Sequence, residues 1–313
     1  MKPEIILVCE MIPHVMESLE RDYQVHHYWQ AADKTGFLSE VGAEIRGIAT
    51  NGHFGASRAM MAACPKLEIV SSYGVGYDAV DIPAAEERGV IVTNTPDVLN
   101  EDVSNLAIAL LLDTTRQVTA GDRYVRRGDW LETGDMPLAR SIHGKTLGIL
   151  GLGRIGKLIA AKAEALGCKI AYFGRNEQSG LSYRYYADLV EMAGDSDFLV
   201  AICPGGPSTE GLVNRAVIEA LGPEGTLINV SRGSVVDEPA LVAALEDGRL
   251  GAAGLDVFVE EPKVPEALLA MDNVVLQPHR GSATEETRRA MGDLMLDNMK
   301  AHFAGQPVLT RVV

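Results

Sequence analysis

The sequence predicts an α/β protein of two doubly wound parallel-sheet domains, and three observations carry that reading. Short apolar, strand-like stretches alternate with helical ones through the first hundred residues. A second series of the same kind begins at Gly144, and between Leu150 and Lys157 the chain passes from strand to glycine turn to helix. Parallel strands must be joined by a crossover of a dozen or so residues, usually a helix, so this alternation belongs to parallel sheets. At 313 residues, 47% hydrophobic and 23% charged, the chain is long enough for two ordinary cores.

In the first series, strands are expected at 5–8, 24–28, 45–49, 67–71 and 90–92, with a helix over 13–21. The turn-rich break Thr93-Asn-Thr-Pro-Asp97 closes it, and one long helical pattern then covers 101–127. The second series offers six strands, at 147–150, 169–173, 198–202, 226–230, 254–257 and 274–277. Beyond them Ser282 and Glu285 stand at the spacing of a capping box. Met291, Leu294, Met295 and Met299 follow on one helical face, and Gly305 stops the helix. Since the second domain already has its strands, this helix and residues 308–313 are expected to return to the first. The expected domains are 1–98 with 284–313, and 99–283.

A formal net charge of −15 repels nucleic acid and anionic membranes alike, so neither is an expected partner. Any anionic ligand therefore needs a locally positive pocket. No apolar run approaches the ~18 residues of a membrane span, and residues 1–8 read as a first strand and not as a signal peptide. Cys9, Cys64, Cys168 and Cys203 show no C-x-x-C spacing. Buried, reduced thiols in a cytoplasmic protein are expected, with no metal.

The turn Gly151-Leu-Gly153-Arg154-Ile155-Gly156 has the order a dinucleotide site requires. Gly151 allows a tight turn, Gly153 lets backbone approach a pyrophosphate, and Gly156 lets the helix pack closely on its strand. The helix N-terminus then offers free N–H groups. At the end of the next strand, where an NAD site has an acidic residue for the ribose, the chain has Gly174-Arg175-Asn176. That substitution suits a 2′-phosphate, and NADP(H) is expected with NAD(H) weaker. Three further strand ends carry polar residues that packing does not explain: Arg232, Glu261 and His279. Strand carboxyl ends face the ligand crevice in open α/β sheets. There an Arg can hold a carboxylate, a His can exchange a proton with a carbonyl oxygen, and a Glu can orient the imidazole.

Four motifs in order carry a family resemblance: Gly151–Gly156, Asn229-Val230-Ser231-Arg232-Gly233 through Asp237, Gly254-Leu-Asp256-Val-Phe258 with Glu261-Pro262, and Pro278-His279-Arg280-Gly281-Ser282. Together they resemble the D-isomer-specific 2-hydroxyacid dehydrogenases, among these most the NADPH-dependent glyoxylate/hydroxypyruvate reductases and the hydroxyphenylpyruvate reductases. The resemblance spans essentially the whole chain. It implies a Rossmann-type cofactor domain inserted in a flavodoxin-like substrate domain, and Arg232, Glu261 and His279 as a catalytic trio. It implies that the loop Ser72–Asp78 offers the amides of Val75 and Gly76 to a substrate carboxylate, with Gly74 and Gly76 permitting the backbone angles. Asn51 would also face the substrate. Further cofactor contacts are implied at Cys203, Pro204, Thr209, Val230, Ser231, Asp256 and Gly281, with Asp256 receiving the nicotinamide amide. Tyr73 and His53 with Phe54 would help to wall the pocket. The arm over 101–143 would make a homodimer, with Trp130 reaching the partner's site.

The chain departs from the family pattern twice. Gly205-Gly206 stand where a Leu-Thr type pair is usual, which puts one hydroxyl contact near the cofactor in doubt, and Arg280 follows the His where an apolar residue is common. The reading is a reductase of a small 2-oxo acid such as glyoxylate or hydroxypyruvate, with His279 as proton donor. Its alternatives are an aromatic, hydroxyphenylpyruvate-type reductase, a dinucleotide-sensing corepressor-like scaffold, and a methyltransferase. Neither of the last two has a use for Arg232 with Glu261 and His279.

Overall fold

In this computed structural model, which describes residues 2–313, the apolar stretches pair in parallel and bring their polar carboxyl ends to one edge of each sheet. β1 (Glu4–Leu7), β2 (Gln24–His27), β3 (Ile45–Asn51), β4 (Ile69–Tyr73) and β5 (Ile91–Thr93) lie in the order β2-β1-β3-β4-β5. That is the flavodoxin-like order. Ile6, Ile48, Val70 and Val92 have no or almost no exposed surface, because helices cover both faces of the sheet.

The second sheet holds β6 (Thr146–Leu150), β7 (Lys169–Phe173), β8 (Arg184–Tyr186), β9 (Phe198–Ala201), β10 (Thr226–Asn229), β11 (Ala252–Leu255) and β12 (Val274–Leu276). Its order, β12-β11-β10-β9-β6-β7-β8, is the Rossmann order extended by one strand. The sequence offered six of these. β8 escaped it because a three-residue edge strand of Arg, Tyr and Tyr has neither an aliphatic run nor a readable alternation.

The chain divides into two compact units, residues up to Leu99 together with Ser282–Val313, and Asn100–Gly281. In the first unit, the helix Glu285–Phe303 packs on β4 and on the helix Pro13–Asp22. Gly292 permits that approach, since a Cβ there would overlap the Val15 side chain. The expected capping box gives way to Thr284, whose hydroxyl accepts from the Thr287 amide at 3.2 Å. After Gly305, at φ 71°, the C-terminal residues return to β5, where Val312 N donates to Val92 O at 2.7 Å. Asn298, fully buried, fastens this return. Its Oδ1 accepts from the amides of Leu309 (2.9 Å) and Thr310 (3.0 Å), and its Nδ2 donates to Thr310 Oγ1 (2.7 Å).

The long helical pattern over 101–127 is two helices, Asn100–Arg116 and Val118–Arg127. Gln117 takes a left-handed conformation between them, φ 55°, without any Gly or Pro to announce it. Asp113 explains the break: its carboxylate accepts from the Thr119 amide at 2.7 Å and from Thr119 Oγ1 at 2.5 Å, capping the second helix from one turn back in the first. Val118, Val125, Trp130, Leu131 and Leu138 along this segment are exposed. No helix is long and apolar enough to cross a membrane among the described residues.

Asn298→Ala leaves the part-buried amides of Leu309 and Thr310 without their acceptor, each worth about 1–3 kcal/mol, while Thr310 Oγ1 keeps its bond to the Asn94 carbonyl. Urea unfolding is expected to show a loss of about 2–4 kcal/mol, and a variant as stable as the wild type would contradict this reading of the C-terminal return.

Candidate active site

The glycine turn at the end of β6 is shaped by close approaches. Gly151 sits at φ 102°, and a Cβ on it would come within 2.8 Å of the Cys203 backbone at the end of β9. Only glycine lets these two strand ends meet. A Cβ on Gly156 would overlap the Gly151 carbonyl, whereas Gly153 faces open space. The helix Arg154–Ala165 starts here with no side-chain cap on its N-terminus. Its first amides, those of Arg154 and Ile155 included, therefore form the positive end of a 12-residue helix. This turn fits a pyrophosphate. Burial pushes the Cys203 thiol up to about 11, so it stays uncharged beside the turn.

The residues after β9 form a self-contained loop. Thr209 Oγ1 donates to the carbonyls of Pro204 (2.7 Å) and Gly206 (3.1 Å), and Gly206 is at φ 117°. Gly206 thus meets a backbone demand, and the hydroxyl of Thr209 is turned into its own loop. After β7, Gly174 has open space where a side chain would be, and Arg175 and Asn176 are exposed.

The ends of β10, β11 and β12 converge. Val230 and Ser231 are buried, and Asn229 shapes the turn by accepting from the Ser231 amide (3.1 Å) and hydroxyl (2.7 Å) while donating to the Arg232 carbonyl (2.9 Å). A Cβ on Gly233 would overlap the Phe258 carbonyl, so the loop bearing Arg232 lies directly against the loop bearing Glu261. Glu261 Oε1 accepts from the Phe258 amide at 3.1 Å, and Oε2 is 2.7 Å from His279 Nδ1. The carboxylate is mostly buried, at 19% exposure, and the imidazole is 41% exposed. An imidazole held through Nδ1 by a carboxylate turns Nε2 outward, as proton exchange requires.

His279 itself is at φ 52°, uncommon for a residue with a side chain. Asp256 holds it there: its carbonyl accepts from the His279 amide at 2.9 Å, and its carboxylate accepts from the amides of Arg280 (2.5 Å) and Gly281 (2.8 Å). Burial raises the Asp256 carboxyl above its ordinary range, against the pull of those two amides. Asp256 and Gly281, expected as cofactor contacts, are thus seen bonded to each other. Arg280 is exposed.

In the first unit, the loop after β4 presents amides by a device the sequence did not reveal. Gly74, at φ 138°, gives its carbonyl to the Thr95 amide at 2.9 Å, and the Val75 carbonyl accepts from Asn94 Nδ2 at 2.8 Å. In a planar trans peptide the N–H points opposite to the preceding C=O. The amides of Val75 and Gly76 are therefore turned away from Thr95 and Asn94. The break Thr93–Asp97, read only as a turn, holds both residues. Asn51 Oδ1 accepts from the amides of His53 (3.0 Å) and Phe54 (2.9 Å), so it closes its own loop, and a substrate role would fall to its Nδ2. Tyr73, expected in a pocket wall, is buried in the core with its hydroxyl donating to the Arg288 carbonyl at 2.8 Å. Trp130 is exposed and donates to Asp135 at 3.2 Å.

Comparisons with known proteins show the family. The profile of the D-isomer specific 2-hydroxyacid dehydrogenase NAD binding domain matches residues 108–281. The chain is 49% identical over 309 residues to the hydroxyphenylpyruvate reductase of Plectranthus scutellarioides, covering 99% of this chain and 98% of that one. It is 45% identical over 309 residues to glyoxylate/hydroxypyruvate reductase A of Arabidopsis thaliana, covering 99% and 98%. Among solved structures, the NADPH-dependent glyoxylate/hydroxypyruvate reductase of Sinorhizobium meliloti, in complex with NADP and malonate, superposes with a TM-score of 0.92 at 44% identity, covering 100% of this chain and 97% of that one. The chain is an oxidoreductase and belongs to the D-isomer-specific 2-hydroxyacid dehydrogenase family.

Proposed function

We propose that the protein uses NADPH to reduce a small 2-oxo acid, glyoxylate or hydroxypyruvate, to the D-2-hydroxy acid. The observation that carries this reading is the His279–Glu261 pair, 2.7 Å apart at the carboxyl edge of the second sheet and backed by the loop bearing Arg232. The amides at Gly153, Arg154 and Ile155 hold the pyrophosphate, Arg175 and Asn176 read the 2′-phosphate, and Gly174 leaves room for it. When bound, the dinucleotide supplies the hydride. Arg232 pairs with the substrate carboxylate and polarises the adjacent carbonyl, while the amides of Val75 and Gly76 are further donors to the carboxylate. His279, protonated and held by Glu261, gives its Nε2 proton to the carbonyl oxygen as charge builds there, and takes it back in the reverse direction.

The Plectranthus relative supports a second reading, an aromatic 2-oxo acid as substrate. Oxidation of NADPH with glyoxylate, hydroxypyruvate, pyruvate and hydroxyphenylpyruvate separates the two by kcat/KM. A corepressor-like scaffold would turn over none of them. Four buried, free thiols suit a reducing compartment such as the cytoplasm.

His279→Gln keeps the size of the side chain but removes its acid. It is expected to lower kcat by the ~10²- to 10⁴-fold typical of a lost general acid, with NADPH affinity by fluorescence titration unchanged. Near-normal turnover would sink the assignment.

Cofactor choice gives a second test. Wild-type kcat/KM is expected to favour NADPH over NADH by at least about tenfold, the worth of one retained ionic contact of about 1.4 kcal/mol. Arg175→Ala should raise the KM for NADPH and leave that for NADH almost unchanged. Equal losses would show that Arg175 only supports its turn.

Val118, Val125, Trp130, Leu131 and Leu138 lie exposed along one segment, and a run of exposed apolar side chains suits a subunit contact. A homodimer formed through this arm is proposed, and light scattering should give twice the chain mass. A fully active monomer would refute it.

A further inference from the structure

Two loops of the dinucleotide site are joined by one side chain. Gln178 Nε2 donates to the Leu152 carbonyl at 2.7 Å, inside the Gly151–Gly156 turn, while the Gln178 amide donates to Tyr172 Oη at 2.8 Å. Tyr172 is almost wholly buried in β7, and the neighbouring Tyr185 of β8 makes a longer contact, 3.4 Å, to the Gly174 carbonyl. The exposed residues Arg175 and Asn176 therefore sit on a loop anchored at both ends, at Gly174 and at Gln178. The grip on Leu152 has a second effect. The Leu152–Gly153 peptide is planar and trans, so a carbonyl drawn toward Gln178 turns the Gly153 N–H the opposite way.

We propose that Gln178 is a positioning residue for the dinucleotide: it fixes the path of the loop that reads the adenosine 2′-phosphate and the direction of the Gly153 amide, without touching substrate. The proposal rests on the NADPH reading above and assigns a residue that acts through its neighbours. A loop and an amide already held in place lose less freedom when the ligand arrives, which favours binding. The chemical step is left alone, so affinity and turnover should separate.

The test uses the full-length protein with NADPH, 2′,5′-ADP and 5′-AMP, titrated calorimetrically against wild type, Gln178→Ala, Gln178→Glu and Tyr172→Phe. Gln178→Glu keeps the shape and replaces the donor by a carboxylate facing a carbonyl. Both Gln178 variants are expected to weaken NADPH about tenfold or more, with a larger loss for 2′,5′-ADP than for 5′-AMP and kcat at saturating NADPH within about twofold. Tyr172→Phe, which removes the other tie, should act in the same direction, and its effect should not add fully to that of Gln178→Ala. NADPH affinity within twofold of wild type in both Gln178 variants overturns the proposal. So does a fall in kcat with affinity unchanged, or an equal loss for 2′,5′-ADP and 5′-AMP. A wild type that binds 2′,5′-ADP no better than 5′-AMP overturns the NADPH reading itself, and this proposal with it. That outcome shows before any variant is made.

Discussion

The carboxyl edge of the second sheet is organised by Asp256. One residue at the end of β11 takes three successive amides from the segment after β12, two on its carboxylate and one on its carbonyl. Those bonds hold His279 in a left-handed conformation that costs a residue with a Cβ of order 1–3 kcal/mol, and a hydrogen-bonded buried carboxylate is what can hold it there. With the backbone fixed, the imidazole meets Glu261, and Gly233 lets the loop bearing Arg232 close against the same segment. His279 and the loop bearing Arg232 thus depend on backbone constraints at neighbouring residues, and Glu261 is set by its carboxylate on the Phe258 amide and the imidazole.

A chain of net charge −15 binds anions only where it builds local positive potential. It does so with backbone dipoles, and the same device recurs. At Gly74 and Val75 the carbonyls are drawn back by Thr95 and Asn94, and at Leu152 by Gln178, so that the next amide in each case is turned outward. At Arg154 the uncapped helix start has the same effect.

Much of this was legible in the sequence because it is local. Strand, glycine turn and helix follow one another over a dozen residues, and the roles of Gly151 and Gly156 follow from backbone geometry alone. Arg232, Glu261 and His279 stood out because polar residues at strand ends have no packing reason to be there. What stayed hidden depends on contacts distant in sequence. Asn94 and Thr95 looked like turn residues until β5 was set beside β4. Nothing local marks Gln178, whose bond to Leu152 exists only because β7 lies beside the glycine turn. The break at Gln117 comes from a cap supplied by Asp113, which helical periodicity cannot register, and the burial of Tyr73 comes from a C-terminal helix more than two hundred residues later. Asn51 is expected to face the substrate, and the sequence does not show that its oxygen also closes a turn over its own neighbours.

We propose that the groups at the ends of β10, β11 and β12 orient a 2-oxo acid so that the hydride reaches one face of its carbonyl carbon while the oxygen receives a proton. Chiral analysis of the product formed from hydroxypyruvate with NADPH is the decisive measurement. D-glycerate as the sole product, formed with loss of one NADPH per molecule, is the predicted result. L-glycerate, a racemic product, or no NADPH oxidation with any 2-oxo acid would contradict it.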